Sequence, residues 1–199
     1  IVQNNSWGYD LSATTLSYND VFRSPGDVDG QAYVDALLNF STDGVIVFAG
    51  SNNTGRTTVD LMSGLPLLVP ELESSWIAAV NAVPTFSGGN IVSATMVSAG
   101  CLQAAPWCIA ADGTTHAALT SGPTDYDFRT GTSFAAPQVS GAIALLAEAF
   151  PDLSAQELRA RLLASAENEF FVHSGFVEFA PGVEHGFNEE FGHGFLDIR

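Results

Sequence analysis

Lysine is absent from this 199-residue sequence, and its only basic side chains besides four histidines are six arginines. Aspartate and glutamate together number 22, so the formal net charge is -16 at pH 7. A chain this acidic repels phosphate groups and anionic lipid headgroups, which excludes nucleic acid and anionic membranes as expected partners. The balance is typical of an acidic secreted protein, and adaptation to salt is the second interpretation.

The sequence also lacks any apolar run that approaches the roughly 20 residues needed to cross a membrane. Its longest apolar runs have the length of a strand or a helix: VIVFAG at 45–50, LPLLVP at 65–70 and AIALLAEAF at 142–150. We therefore expect no membrane span in this chain. The hydrophobic content of 46% is enough for a core, and 199 residues fit one domain or part of one.

Cysteine is scarce and occurs only as Cys101 and Cys108, in the segment CLQAAPWC. The short spacing predicts a small disulfide loop, which favours a periplasmic or extracellular protein. Two unrelated buried thiols are the alternative. No histidine or further cysteine stands at ligand spacing beside the pair, so no metal site is predicted there.

The most informative segment is GTSFAAPQVSG at residues 131–141, in which small residues surround Ser133 and an apolar helical stretch follows. A helix start leaves backbone N–H groups unpaired and carries partial positive charge. A serine placed there can attack a carbonyl carbon while its own N–H helps to hold the oxyanion. Ser133 is therefore the predicted nucleophile. An ordinary helix N-cap serine is the alternative interpretation.

Apolar strands that alternate with helical patterns predict an α/β fold with a mainly parallel sheet flanked by helices. Ligands of such sheets bind at the carboxyl ends of the strands. A capping box from Ser154 to Glu157 is expected to open one helix. The other predicted elements are a buried strand that ends near residue 2, an irregular loop at 9–30, helices at 31–40 and 141–150, and strands at 45–49, 76–83 and from 109. The tail contains aromatic residues flanked by glycine and ends in FGHGFLDIR.

Residues 131–141 closely resemble the active-serine signature GTSxAxPxVxG of subtilisin-like serine proteases, and the resemblance extends over nearly the whole chain. It implies a subtilisin-like fold and a serine endopeptidase that hydrolyses polypeptides through an acyl-enzyme on Ser133. Gln138 stands where the family usually has a histidine. That histidine is not catalytic in the family. The chemistry implied needs no cofactor. Calcium sites are frequent in the family, but we identify no ligand cluster for calcium or another metal.

The same resemblance implies an oxyanion donor. The strand end VIVFAGSN is similar to the family segment in which an apolar strand runs into small residues and then an asparagine. Aligned without gaps, Asn52 occupies that position, where a side-chain amide contributes roughly 3–4 kcal/mol to stabilising the tetrahedral intermediate. Asn53 follows directly, so a register shifted by one residue is the alternative, and a plain turn amide is another.

Two short segments resemble the walls of the family's primary specificity pocket. Ser6, Trp7 and Gly8 match the S-x-G segment, whose extended backbone pairs with the substrate and forms one wall. Core packing is the alternative role of Trp7. The opposite wall is expected at Ala49, Gly50 and Ser51.

A general base and its orienting carboxylate are not identified in the sequence. Subtilisin-like proteases carry both before the oxyanion segment, in D-[ST]-G and HGT motifs, and neither motif occurs before Asn52. The resemblance therefore implies that residues 1–199 are the C-terminal portion of a single peptidase domain, inactive by itself. We expect strands of the sheet to be missing, and the partner to be the N-terminal part of the same protease, which would supply the catalytic aspartate and histidine.

The segments NNSWG, CLQAAPWC and FGHGFLD look most like the passenger domains of bacterial autotransporter proteases. This likeness predicts a secreted or cell-surface protein of bacterial type, and the initial isoleucine leads us to expect a processed chain. The main alternative is a catalytically inactive subtilisin-like scaffold used for binding or adhesion. A weaker alternative is an unrelated α/β hydrolase whose base is His173, His185 or His193.

Overall fold

The computed structural model describes residues 1–23, 28–119 and 121–198. Its central sheet has five strands. They are β1 (Val2–Asn5), β2 (Val45–Ala49), β3 (Trp76–Ser87), β4 (Asn90–Met96) and β5 (Cys108–Ala111). The order β1-β2-β3 is parallel, and residues 78–81 of β3 pair with β5 in the same direction. Residues 82–87 of β3 pair antiparallel with β4.

The strand β2 shows why the strands of the sheet are continuous apolar runs in the sequence. All five of its residues are buried, because the sheet is covered on both faces. Val45 and Val47 pack towards one layer, and Ile46 and Phe48 towards the other. The predicted α/β class with a mainly parallel, helix-flanked sheet is confirmed, and β2 has the predicted bounds.

Four α-helices of the described residues accompany the sheet. They are α1 (Tyr18–Phe22), α2 (Val28–Ser41), α3 (Thr132–Ala149) and α4 (Ala155–Ala164). Helix α4 begins at the predicted capping box, in which Ser154 and Glu157 bond each other's backbone N–H. Helix α3 begins at Thr132, well before the predicted residue 141. All of the segment GTSFAAPQVSG except Gly131 is therefore helical.

The predicted loop at 9–30 was wrong in two places. Ser17 and Asp20 form a second capping box, which opens α1, and α2 starts at Val28. Residues 24–27 of the predicted loop lie outside the described residues. The strand expected to end near residue 2 instead continues to Asn5, and Ile1 before it is exposed rather than buried.

Two hairpins and three short 3-10 helices complete the described elements. The hairpins are β6 (Thr114–Ala118) with β7 (Tyr126–Thr130), and β8 (Gly175–Ala180) with β9 (Val183–Phe187). The second hairpin lies in the tail for which no regular elements were predicted. The 3-10 helices span Leu65–Leu67, Pro70–Ser75 and Leu102–Trp107.

The core forms one layer on each face of the sheet. On one face α3 and α4 pack against the strands through Val139, Ile143 and Leu162. On the other face Phe48 stacks on Trp76, with ring centroids 4.9 Å apart. The predicted disulfide between Cys101 and Cys108 is present and joins the Leu102–Trp107 segment to β5. Within the described ranges no helix is both long and apolar enough to cross a membrane.

Candidate active site

The carboxyl ends of β1 and β2 bring the predicted site segments together. Asn5 lies opposite Phe48 in the parallel register, so the residues that follow each strand leave the sheet at the same edge. Ser6 therefore starts one segment beside the other, which begins at Gly50. The first turn of α3 is attached to both by hydrogen bonds.

An open cavity of about 370 Å³ occupies this edge. Its walls contain every residue for which the sequence predicted a catalytic or substrate-binding role: Ser6, Trp7, Gly8, Ala49, Gly50, Ser51, Asn52 and Ser133. Other residues in the walls are Tyr9, Asp10, Asn53, Asp60 and Thr132, of which only Asn53 had been considered. The structure brings the predicted residues into one cavity, and their chemical roles stay predictions.

Ser133 is the second residue of α3 and is half-buried at the cavity wall. Its hydroxyl donates to the backbone carbonyl of Ser6, with Oγ and O 3.3 Å apart. In return, the Ser6 hydroxyl donates to the backbone carbonyl of Ser133 over 2.9 Å. This reciprocal pair fixes the start of α3 against the segment that follows β1.

Pro137 explains why a carbonyl inside a helix accepts a side-chain hydrogen bond. In a regular α-helix, the N–H of residue 137 would bond the carbonyl of Ser133, but proline has no N–H to donate. The Ser6 hydroxyl fills this vacancy. Proline in the second turn therefore frees an acceptor on the candidate nucleophile, which a residue from a distant strand end then holds.

A polar chain extends the same support below the cavity. The amide nitrogen of Asn4 donates to Ser6 Oγ over 3.0 Å, and Ser140 Oγ donates to Asn4 Oδ1 over the same distance. Ser140 lies two turns after Ser133 on α3, so both can face β1. These supporting residues were missed in the sequence, although the helical spacing of the two serines was a usable signal.

Asn52 is attached to the first residue of α3. Its side-chain oxygen accepts the backbone N–H of Thr132 over 3.0 Å, and the Thr132 hydroxyl donates to the carbonyl of Gly50 over 2.6 Å. Gly131 precedes the helix and has no side chain to cap it, so Asn52 serves as the cap from another segment. Because the oxygen of the amide is used for this cap, its NH₂ group is the part of the side chain that can act as a donor to another partner.

Asn53 has a different environment, although it also lines the cavity. Its side-chain oxygen accepts the N–H of Gly55 over 3.1 Å, and its own N–H donates to Ser51 Oγ. These bonds close a local turn of the kind that asparagine often forms. The arrangement favours Asn52 over Asn53 as an oxyanion donor, because only Asn52 is bonded to the helix that carries Ser133.

The tail histidines lie in a packed cluster of their own. His193 is fully buried, and its Nε2 lies 2.9 Å from the carbonyl oxygen of Pro106. Its Nδ1 is 3.2 Å from Nδ1 of His185. Burial lowers the pKa of His193 to about 4. No histidine is among the described residues that line the cavity beside Ser133.

We expect this buried histidine to make the fold acid-sensitive. The unfolded chain takes up a proton on His193 near pH 6.5, whereas the folded chain does so only near pH 4. Between these values the unfolded state binds more protons, so stability should fall as the pH drops through this window. Urea unfolding of the whole protein at pH 7 and pH 5, with Ser133→Ala introduced to prevent autolysis, measures the effect. His193→Gln should make the free energy of unfolding depend less on pH. If that free energy changes equally between pH 7 and pH 5 with and without His193→Gln, His193 is not the cause of the acid sensitivity.

No group of three or more His, Cys, Asp or Glu side chains in the described part of the chain is arranged to hold a metal ion. A site for calcium is therefore not identified in the structure, as it was not in the sequence.

Comparison with known proteins assigns the chain to a family. The peptidase S8 model, described as the subtilase family, matches residues 1–194. The chain therefore belongs to the subtilase family, as the resemblance of residues 131–141 predicted. The weaker alternative, an unrelated α/β hydrolase that uses a tail histidine as its base, is therefore wrong.

Three relatives illustrate the extent of the match. Serotype-specific antigen 1 of Mannheimia haemolytica is 28% identical over an alignment of 172 residues, which covers 82% of this chain and 18% of the antigen. An extracellular serine protease of Serratia marcescens is 26% identical over an alignment of 164 residues, which covers 71% of this chain and 15% of that protease. The solved prenylagaramide maturation protease PagA superposes with a TM-score of 0.58 at 20% identity, over 99% of this chain and 59% of PagA. The chain thus spans less than a fifth of the length of the two curated relatives.

Proposed function

We propose that the chain carries the nucleophile and the oxyanion hole of a subtilisin-like serine endopeptidase. One observation supports this most directly: Ser133, at the start of α3, shares a cavity with Asn52 and both predicted substrate walls. Ser133 Oγ attacks the carbonyl carbon of the scissile peptide bond. The amide NH₂ of Asn52 and the backbone N–H of Ser133 donate to the oxyanion that forms.

The hydrogen bonds of the first helical turn support this pair of donors. The N–H of Thr132 is used by Asn52 Oδ1, and the N–H groups of Phe134 and Ala135 bond the carbonyl of Gly131. The N–H of Ser133 lies between them at the positive end of the helix. A developing negative charge at this point is stabilised by the helix end as well as by the two donors.

The reaction also needs a base for the Ser133 proton and a carboxylate to orient that base. We propose that a histidine and an aspartate in the N-terminal portion of the same protease supply them, with residues 1–199 as the C-terminal portion of one peptidase domain. The base takes the hydroxyl proton as the C–O bond forms, and gives it to the leaving amine as the C–N bond breaks. Water then hydrolyses the acyl-enzyme, without a cofactor.

The substrate we propose is an extended polypeptide whose backbone lies along residues 6–8. The carbonyl of Ser6 already faces the candidate nucleophile, since it accepts the Ser133 hydroxyl in the structure. Substrate binding would replace this long bond and turn the hydroxyl towards the base. The names of two relatives, an antigen and an extracellular protease, support a secreted or cell-surface protein. We propose the bacterial autotransporter type from the resemblance of the sequence segments alone.

A catalytically inactive scaffold for binding or adhesion is the second candidate. It is favoured by the described cavity walls, in which no histidine lies near Ser133. It is also favoured by the relative that is named as an antigen. The two candidates differ in whether Ser133 is activated in the whole protein.

Covalent labelling tests this difference. We expect a fluorophosphonate probe to modify Ser133 in the folded, complete protein and to lose its target after denaturation, because only an activated serine reacts. Intact mass and peptide mapping locate the label. Ser165→Ala, a change at an exposed serine on the far end of α4, should be labelled like the wild type. A folded protein that takes up no label would support the scaffold and contradict the peptidase.

A further inference from the structure

Asp60 is a buried carboxylate in the wall of the cavity that also contains Ser133. It is only 5% exposed, which is rare for an ionisable side chain without a strong partner. A Cβ placed on Gly8 would lie 3.7 Å from Asp60 Oδ1, so the carboxylate stands directly behind the wall formed by residues 6–8. Its role is not explained by the mechanism above.

The opposite wall also meets this residue. Asp60, Gly50 and Ser51 together line a second space of about 10 Å³, which shares these residues with the main cavity. The backbone of Asp60 is held in place, because its carbonyl accepts the N–H of Gly64 over 2.9 Å. Asp60 therefore lies beside residues of both walls that are predicted to bind the substrate side chain.

The Asp60 carboxylate accepts hydrogen bonds but forms no ion pair within the described chain. Its Oδ1 accepts the backbone N–H of Ser63 over 3.0 Å, and the Ser63 hydroxyl and the backbone N–H of Met62 also bond the carboxylate. The nearby guanidinium of Arg56 is engaged elsewhere, in an ion pair with Asp10 and hydrogen bonds to the carbonyls of Leu11 and Thr58. No basic side chain of the described residues comes within 4.0 Å of the Asp60 carboxylate.

Burial raises the pKa of the Asp60 carboxyl, although the hydrogen bonds from Ser63 and Met62 and the charge of Arg56 act in the opposite direction. A buried carboxylate without an ion pair is costly, and a cation that reaches it from the cavity would offset the cost. The cavity of about 370 Å³ is open to such a group and falls within the usual range for ligand pockets.

We propose that Asp60 selects an arginine or lysine side chain of the substrate, at the residue that donates the scissile carbonyl. The proposal rests on the proposed peptidase function and names its substrate class. The substrate side chain enters between the walls at residues 6–8 and 49–51, and its cationic end pairs with the Asp60 carboxylate. A carboxylate at the end of this pocket is a known means by which serine proteases of other folds select basic residues. The net charge of -16 also draws cationic peptides to the protein.

The selection of a basic residue by Asp60 is tested on the complete protease with peptides that differ only at the residue that donates the scissile carbonyl. The kcat/KM for arginine and lysine peptides should exceed that for phenylalanine and leucine peptides. Asp60→Asn, which keeps the shape and an acceptor for Ser63, should lower the arginine-to-phenylalanine ratio at least about thirtyfold. Asp152→Asn changes the net charge equally at an exposed position and should leave the ratio unchanged. If the complete protease cleaves peptides and Asp60→Asn leaves the arginine-to-phenylalanine ratio of kcat/KM unchanged, the proposal is wrong.

Binding of benzamidine, a small amidinium cation, separates this proposal from the peptidase function. Calorimetry on the complete protein with Ser133→Ala should detect binding that Asp60→Asn abolishes and Asp152→Asn preserves. Asp60-dependent binding without Ser133-dependent proteolysis would support the cation pocket while the peptidase function fails. Failure of the folded protein with an intact Asp60 to bind benzamidine would count against the pocket, even if peptides are cleaved.

Discussion

Ser133→Ala in the complete protease is expected to reduce kcat by about 10⁶-fold and to leave KM nearly unchanged. The hydroxyl is the atom that forms the acyl-enzyme, so its loss leaves only the oxyanion donors and substrate binding to assist attack by water. Substrate binding does not depend on it, because the walls come from residues 6–8 and 49–51. Progress curves with a fluorogenic peptide, at enzyme concentrations high enough to see residual turnover, measure the ratio.

The structure offers a matched control for this change. Ser140 is on the same helix and faces β1, but it supports Asn4 rather than lining the cavity. Ser140→Ala removes a hydroxyl of the same kind and should reduce kcat only modestly, by loosening the Asn4–Ser6 link. Circular dichroism would show that both variants fold. A Ser133→Ala protein that retains even a tenth of the wild-type kcat would mean that the nucleophile lies elsewhere.

The parts of the fold that were predicted correctly have local causes. The five apolar residues of β2 are buried on both faces, so their pattern and their bounds coincide. The capping box before α4 is formed by residues three apart and needs no tertiary context. The box at Ser17 and Asp20 is equally local, but it opens a helix of only five residues inside a polar region whose composition predicts a loop.

The elements that were missed depend on pairing between segments. The second half of β3 and the tail strand β8 are mostly exposed or half-buried, so neither shows the continuous apolar run of β2. Each is a strand because an antiparallel neighbour bonds to it. Helix α3 was placed too late, because glycine, serine and proline in residues 131–141 are weak helix formers. There, tertiary bonds from Ser6 and Asn52 hold the first turn.

The candidate site also contains residues that local sequence patterns predict and residues that only the folded chain brings together. Ser133, Asn52 and the two walls were predicted from short segments, and the structure places them around one cavity. Asp60 was missed because apolar neighbours flank it and no local pattern links it to Ser133. Its proximity to Gly8 arises only when the chain between β2 and β3 folds back under the cavity. A buried charge of this kind is visible in a structure and not in a sequence.

Asn52 provides the second large effect, and its environment dictates the choice of substitution. Asn52→Ala should lower kcat by about 10²–10³-fold, but it also removes the acceptor that caps Thr132. Asn52→Asp retains that acceptor and places a favourable charge at the helix start, while it loses the donor to the oxyanion. We therefore expect Asn52→Asp to keep the thermal stability of the complete protein and to lose at least as much kcat as the alanine variant.

Asn53→Ala tests the register of the assignment. It removes a cavity-lining amide of the same size, but one that bonds only within its own turn through Gly55. Its kcat should stay within about threefold of the wild type, with KM the more affected constant. A hundredfold loss in Asn53→Ala together with an active Asn52→Asp would move the oxyanion donor to Asn53. That result would show that the bond between Asn52 and Thr132 organises the helix start without taking part in the chemistry.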